Sequence, residues 1–286
     1  MTLTNTGPVA VITGASAGIG KAAARMLAAM GWQVIGTGRD PSRSAAAIAE
    51  IEGAAKDGGS FTMLRGDFDV MAQVARLADE IAALTSRIDA LVLNAGGVRD
   101  TMVVTRDGFE ATFAANHLAH FLLTKRLMPI LQASRARVIS TSSDAHEYCP
   151  AMNWDDLNFA ANYSTGAAYC QAKLANVLFT RELARRGAAD GITANAIHPG
   201  AVTSNFWSHG DSTFQDRIEE IRELAVTPDQ AAETIVRLAS APEAAAITGS
   251  YFFMGEIRDP SVAAMDDEAA ARLWDVSEAL IAKLVH

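Results

Sequence analysis

Cysteine is almost absent: Cys149 and Cys170 are the only two in 286 residues. Two thiols build neither a disulfide framework nor, unaided, a zinc site, so free thiols in a reducing compartment are expected. A basic excess is missing as well. Asp and Glu number 33 against 24 Lys and Arg, for a formal net charge of −9. A surface of that sign repels a nucleic-acid backbone and offers nothing polybasic to an anionic membrane. The opening MTLTNTGPVAVITG has no basic stretch leading into an apolar one of signal-peptide length. No apolar run is long enough to span a bilayer. These absences predict a cytoplasmic protein with no membrane anchor and no nucleic-acid partner.

What is present is alternation. Half the chain (50%) is hydrophobic, enough for a large core. Short runs rich in Val, Ile and Leu predict strands at 8–14, 32–38, 61–67, 89–96, 136–143, 193–200 and 250–253. Ala- and Leu-rich helical segments lie between them at 18–30, 42–56, 71–86, 107–132 and 168–187. Such alternation implies right-handed βαβ units. The predicted fold is α/β: one doubly wound Rossmann-type parallel sheet of about seven strands, helices on both faces, spanning 1–286 as a single domain. Residues 203–227 break the rhythm and read as a small lid, ahead of a helix that Thr227, Pro228 and Asp229 can start.

The first strand runs into TGASAGIG (13–20), where Gly14, Gly18 and Gly20 sit at a strand-to-helix junction. One glycine permits the tight turn, one lets backbone approach a pyrophosphate, and one lets helix and strand pack closely. The helix N-terminus then favours the anion. The second strand ends in GTGRD. Arg39 there suits the 2′-phosphate of NADP, by a bidentate charge-assisted contact. Asp40 is either a helix cap before Pro41 or a ribose ligand of the NAD type. NADP(H) is favoured and NAD(H) remains open.

In YCQAK (169–173), Tyr169 and Lys173 share one helix face. An ammonium beside a phenol favours the phenolate, and a phenol so tuned can pass a proton to or from a carbonyl or alcohol oxygen. The same spacing also occurs on ordinary helices. His117, His120 and His198 show no metal-like spacing and read as structural. Phe206 and Trp207 suit either an apolar substrate pocket or the packing of a lid.

With these segments in order, the sequence resembles the short-chain dehydrogenase/reductase family over nearly its whole length. TGASAGIG resembles the cofactor loop, NAG (94–96) the strand-four motif, STSS (140–143) the catalytic-serine strand, YCQAK the Tyr-x-x-x-Lys and HPGAVTS (198–204) the Pro-Gly segment. NHLAHFLLTK (116–125), AYCQAKLANVLFTRELARR (168–186) and LWDVSEAL (273–280) resemble the retinol-dehydrogenase-like branch.

The resemblance implies a catalytic set. Tyr169 would be the acid/base. Lys173 would lower its pKa and bind the nicotinamide ribose, Ser143 would bond the substrate oxygen, and Asn116 would hold a relay water. Ser142 is the rival to Ser143, since neighbouring side chains in a strand face opposite ways. Cofactor contacts are implied at Gly14, Ser16, Gly18, Ile19, Gly20, Arg39, Asn94, Ala95, Gly96, Tyr169, Lys173, Pro199, Gly200, Val202 and Thr203, with Asp67 and Phe68 flanking the adenine.

The implied activity is NADP(H)-dependent interconversion of an alcohol and an aldehyde or ketone, on a fairly apolar small molecule. A catalytically inactive NAD(P)-binding sensor or scaffold is the alternative. A homo-oligomer through the helices at 107–132 and 168–187 is implied by family analogy. Two departures stand out. Twenty-five residues (144–168) separate Ser143 from Tyr169, about twice the usual family spacing, and the start lacks the hydrophobic anchor of animal retinol dehydrogenases.

Overall fold

A computed structural model describes residues 7–203, 212, 216 and 222–284. Its strands are β1 (Val9–Ile12), β2 (Gln33–Gly38), β3 (Ser60–Arg65), β4 (Ala90–Leu93), β5 (Arg137–Thr141), β6 (Thr193–His198), β7 (Tyr251–Phe253) and β8 (Glu256–Arg258). They form one sheet in the order β3-β2-β1-β4-β5-β6-β7-β8. Pairing is parallel from β3 through to β7 and antiparallel between β7 and β8. The chain winds outward from β1 through β2 to β3, then crosses to β4 on the other side. That reversal opens a crevice at the carboxyl ends of β1 and β4, where ligands bind in open α/β sheets.

The helices are α1 (Gly18–Ala29), α2 (Pro41–Ala54), α3 (Met71–Leu84), α4 (Ala111–Phe113), α5 (Ala119–Ser134), α6 (Thr165–Gly187), α7 (Pro228–Ser240) and α8 (Asp267–Ala282). A π turn, Ala114–Leu118, joins α4 to α5. One sheet face packs α3, α5 and α6 through Leu77, Ile81, Phe121 and Leu178, and α8 packs onto α6 through Leu273. The other packs α1, α2 and α7 through Leu27, Ile51, Ile235 and Leu238. Strands with both faces covered have no solvent side, so β1, β2 and β4 are buried at every position.

The eighth strand goes beyond the expected seven. Its three residues are all exposed, so it carries no apolar pattern. Pairing comes from a two-residue turn in which Met254 (φ 48°) and Gly255 (φ 94°) are both left-handed. That geometry matches the twist of a hairpin, although methionine is an unusual first residue for it. α7 starts where expected, with a reciprocal capping box between Thr227 and Gln230. Both cysteines are free thiols.

α8 lies on the outer side of α6. Trp274 stacks on Phe179 with ring centroids 5.9 Å apart and meets Phe121 edge-on at 5.0 Å. Ser277 Oγ lies 2.8 Å from His117 Nε2. Burial of the His117 imidazole pulls its pKa down to about 3, so the ring is neutral. Among the described residues no helix is long and apolar enough to cross a membrane.

Candidate active site

The glycine loop follows β1. Gly14 is left-handed (φ +72°), which turns the chain sharply at the strand end. A Cβ on Gly20 would stand 2.5 Å from the Gly14 carbonyl oxygen, so only glycine lets α1 come this close to the loop. Ala15 N–H donates to the Thr37 carbonyl at 2.8 Å and anchors the loop to β2. The N-cap of α1 is Ala17, which has no side chain to cap with. The first N–H groups of α1, around Gly18 and Ile19, therefore face the crevice as a ready seat for an anion.

The tip of β2 separates the roles of Arg39 and Asp40. Asp40 is the N-cap of α2, and its carboxylate accepts from Arg43 N–H at 2.7 Å. That bond holds its pKa below the usual carboxylate value. Arg39 is half-exposed, its guanidinium 3.6 Å from Asp67 and 3.7 Å from Asp69. Asp69 is itself paired with Arg99 at 2.5 Å. Phe68 points inward, edge-on to His120 at 5.3 Å between centroids. Its ring is spent in the core, so what it can offer an adenine is main chain.

The tip of β4 is seated on Thr13. The N–H groups of Asn94 and Ala95 each donate to Thr13 Oγ1 at 2.8 Å, and Asn94 Nδ2 donates to the Thr13 carbonyl at 3.0 Å. Asn116, in the π turn, reaches the next residues of that loop. Its Nδ2 donates to the carbonyls of Gly97 and Thr112, both at 2.8 Å, and its Oδ1 accepts from Gly97 N–H at 3.3 Å. Gly96 passes so close to Asn116 Oδ1 that a side chain there would collide with it. Buried Glu110 starts the helix by accepting from Thr112 N–H at 2.8 Å and Phe113 N–H at 2.7 Å.

β5 and α6 bring Ser143, Tyr169 and Lys173 together, and the strand pleat decides between the serines. Ser142 is buried and donates to the Lys173 carbonyl at 2.7 Å. Ser143 faces the other way, and its hydroxyl is near enough to the Tyr169 phenol to work against the rise in its pKa. Ser143 Oγ also lies 3.0 Å from Asp144 Oδ1 and accepts from Ala145 N–H at 3.1 Å. Beneath it, buried His146 bonds the Ser143 carbonyl through Nδ1 at 2.7 Å and accepts from Ser261 N–H through Nε2 at 3.1 Å. Sequence reasoning passed over His146, and only its nearness to Ser143 in SSDAH could have signalled it. His198 Nδ1 accepts from Asp144 N–H at 3.1 Å, next to the same serine.

The expected acidic phenol is a correction. Burial pushes the Tyr169 hydroxyl above its ordinary value, Asp144 and Cys170 add to the rise, and the Ser143 hydroxyl opposes it. Lys173 Nζ stands 5.4 Å from the tyrosine ring centroid and donates to the Thr141 carbonyl at 3.3 Å. Lys173 is itself buried with no carboxylate partner among the described residues, and burial draws its pKa down to about 8.

β6 runs into Pro199 and left-handed Gly200 (φ +93°). Val202 then pairs with Val226, and Thr203 N–H donates to the Val226 carbonyl at 3.1 Å. The two ends of the expected lid are thereby clamped together; most of that segment, including Phe206 and Trp207, lies outside the described residues. A cavity of about 350 Å³ opens between α7 and the β7–β8 turn, lined by Pro199, Val226, Thr234 and Met254. It touches the expected site only at Pro199, so it is not the space over Tyr169. The long 144–168 connection is tied back by Asn153 N–H to Gln171 (2.7 Å) and by Arg272 over the Trp154 ring (4.4 Å).

Ser16 lies in the glycine loop, and Arg39, Asp67, Asn94, Ser143 and Pro199 follow the carboxyl ends of β2, β3, β4, β5 and β6. The family model described as short chain dehydrogenase matches residues 8–213. The chain belongs to that family. Human retinol dehydrogenase 13 is 38% identical over 282 residues, covering 96% of this chain and 85% of the relative. A crystal structure of an uncharacterised protein from Mycobacterium paratuberculosis is 32% identical, with a TM-score of 0.76 over 98% of this chain and 97% of that one. The Pseudomonas aeruginosa RhlG/NADP active-site complex is 25% identical, with a TM-score of 0.69 over 88% and 96% of the two chains. As a short-chain dehydrogenase/reductase of the retinol-dehydrogenase-like branch, the protein is an oxidoreductase acting on CH–OH and C=O groups.

Proposed function

We propose that this enzyme interconverts an alcohol and an aldehyde or ketone with NADP(H), on a fairly apolar small molecule. The observation that carries the reading is the gathering of Ser143, buried Tyr169 and buried Lys173, with the ammonium 5.4 Å from the tyrosine ring, at the carboxyl ends of the strands. A bound nicotinamide supplies or accepts the hydride. Ser143 and Tyr169 hold the substrate oxygen and stabilise the charge that develops on it. Tyr169 donates or accepts the proton; its high pKa keeps it protonated and ready to donate toward a carbonyl. Lys173 holds the nicotinamide ribose and Asn116 the relay water. The uncapped start of α1 takes the pyrophosphate, and Asp67 and Phe68 flank the adenine.

NADP(H) over NAD(H) rests on Arg39, half-exposed at the tip of β2, and on Asp40 being occupied as a cap. The RhlG complex, whose title names NADP, points the same way. An apolar substrate is supported by the retinol dehydrogenase relatives. The full set of Asn116, Ser143, Tyr169 and Lys173 favours turnover over a sensor or scaffold. A cytoplasmic location is proposed on the two free cysteines and the acid excess. A homo-oligomer would need a face other than the outer side of α6, where α8 lies.

The test is absorbance loss of NADPH, and separately of NADH, with a panel of aliphatic and aromatic aldehydes and ketones. Turnover that favours NADPH is expected. Cofactor binding without turnover across the panel would favour the sensor.

A further inference from the structure

His120 lies outside the Asn116, Ser143, Tyr169, Lys173 set, yet its buried ring touches two parts of the site at once. Nε2 is 2.9 Å from Thr13 Oγ1, and Nδ1 is 3.0 Å from the main-chain oxygen of Asn116. The proton positions follow by elimination. Thr13 Oγ1 already accepts two N–H bonds, from Asn94 and Ala95, so it meets the imidazole as a donor. The competing acceptor, the Val92 carbonyl, is farther at 3.3 Å. Nε2 is therefore bare and Nδ1 carries the hydrogen, which it donates to the Asn116 carbonyl. A second ring proton would set another donor against the filled Thr13 oxygen. Burial, aided by Lys173, holds the pKa down at about 3, in keeping with a neutral ring.

Asn116 has little else to offer a relay water. Both amide hydrogens are spent on Gly97 and Thr112, leaving one lone pair on Oδ1 and the main-chain carbonyl. That carbonyl lies in the π turn, where the regular helical ladder is interrupted. The His120 N–H fixes its direction from below.

We infer that His120 is a positioning residue that joins the Asn116 carbonyl, through Thr13, to the seat of the β4 tip and the glycine loop. This rests on the proposed proton relay. The relay and the cofactor cradle are then one rigid unit, and loosening the ring misaligns proton delivery without removing a group that touches the substrate.

The experiment has two arms. Nitrogen chemical shifts of the wild-type imidazole read the tautomer without substrate or cofactor. A hydrogen on Nδ1 with bare Nε2 is expected; the opposite tautomer, or a cationic ring at neutral pH, overturns the inference. The second arm compares His120→Phe, His120→Asn and His120→Gln. Phe keeps the volume, Asn places an N–H near the position of Nδ1, and Gln reaches only toward Thr13. In His120→Phe, kcat falls about 10-fold while the substrate KM changes by less than about threefold, as expected for misalignment of reacting groups. His120→Asn recovers most of that loss and His120→Gln does not. A kcat for His120→Phe within twofold of wild type overturns the inference, as does a loss that follows melting temperature equally in all three. If His120→Phe does not fold, the tautomer and the Asn/Gln contrast decide. A wild type that turns over no carbonyl substrate sinks the proposed function instead, while the tautomer still reports the bridge.

Discussion

Ser142 donates to the main-chain carbonyl of Lys173 at 2.7 Å, while its neighbour Ser143 turns toward the Tyr169 phenol and works against the rise in its pKa. One serine thus ties the end of β5 to α6, and the next is the one proposed to bond the substrate oxygen. Ser143→Ala is expected to lower kcat about 100-fold, the scale of losing one donor to a developing oxyanion. Ser142→Ala should cost about 1 kcal/mol of stability, the net worth of a buried hydrogen bond, and far less turnover. Denaturation and steady-state kinetics on both variants check the split; equal kinetic losses would contradict it.

Lys173 is buried without a counter-ion among the described residues. Lys173→Met keeps the length and removes the charge, and Asn176 Nδ2 still serves the Thr141 carbonyl at 3.1 Å. The variant should be more stable than wild type near neutral pH by about 2 kcal/mol, yet inactive. The pH sign follows from the folded pKa of about 8 against an ordinary 10.5. Between those values the unfolded chain holds a proton that the folded chain has released, so this residue makes stability rise with pH across that window. Urea titrations below and above it should show the rise in wild type and its loss in Lys173→Met.

Cofactor choice should turn on Arg39 and not on Asp40. Arg39→Ala is expected to lower the NADPH-over-NADH preference in kcat/KM by about 10-fold or more, the worth of a charge-assisted phosphate contact. Asp40→Ala should lower the melting temperature through loss of the α2 cap and leave the preference in place. A preference unmoved by Arg39→Ala would remove the arginine from the 2′-phosphate site.

Much of this was legible in the sequence because the signals were local. The glycine spacing at 13–20, the Val- and Ile-rich runs and the Thr227-Pro228 helix start each depend on nearby residues. β8 escaped because its three residues are exposed and its turn begins with Met254 rather than Asn or Gly. The choice between Ser142 and Ser143 needed the pleat of β5 against α6. The phenol pKa was misread because spacing puts Tyr169 and Lys173 on one face without saying that both are buried or that the ammonium meets the ring. The His120 bridge joins residues 13 and 116 through a third, a contact no spacing reports.

The most direct test of the account is Tyr169→Phe, which deletes one hydroxyl and keeps the ring. NADPH affinity should stay within a few-fold of wild type while kcat for carbonyl reduction falls by about 1,000-fold, the contribution of a positioned acid. A variant that reduces carbonyls at the wild-type rate would contradict it, because the proton would then come from somewhere other than Tyr169.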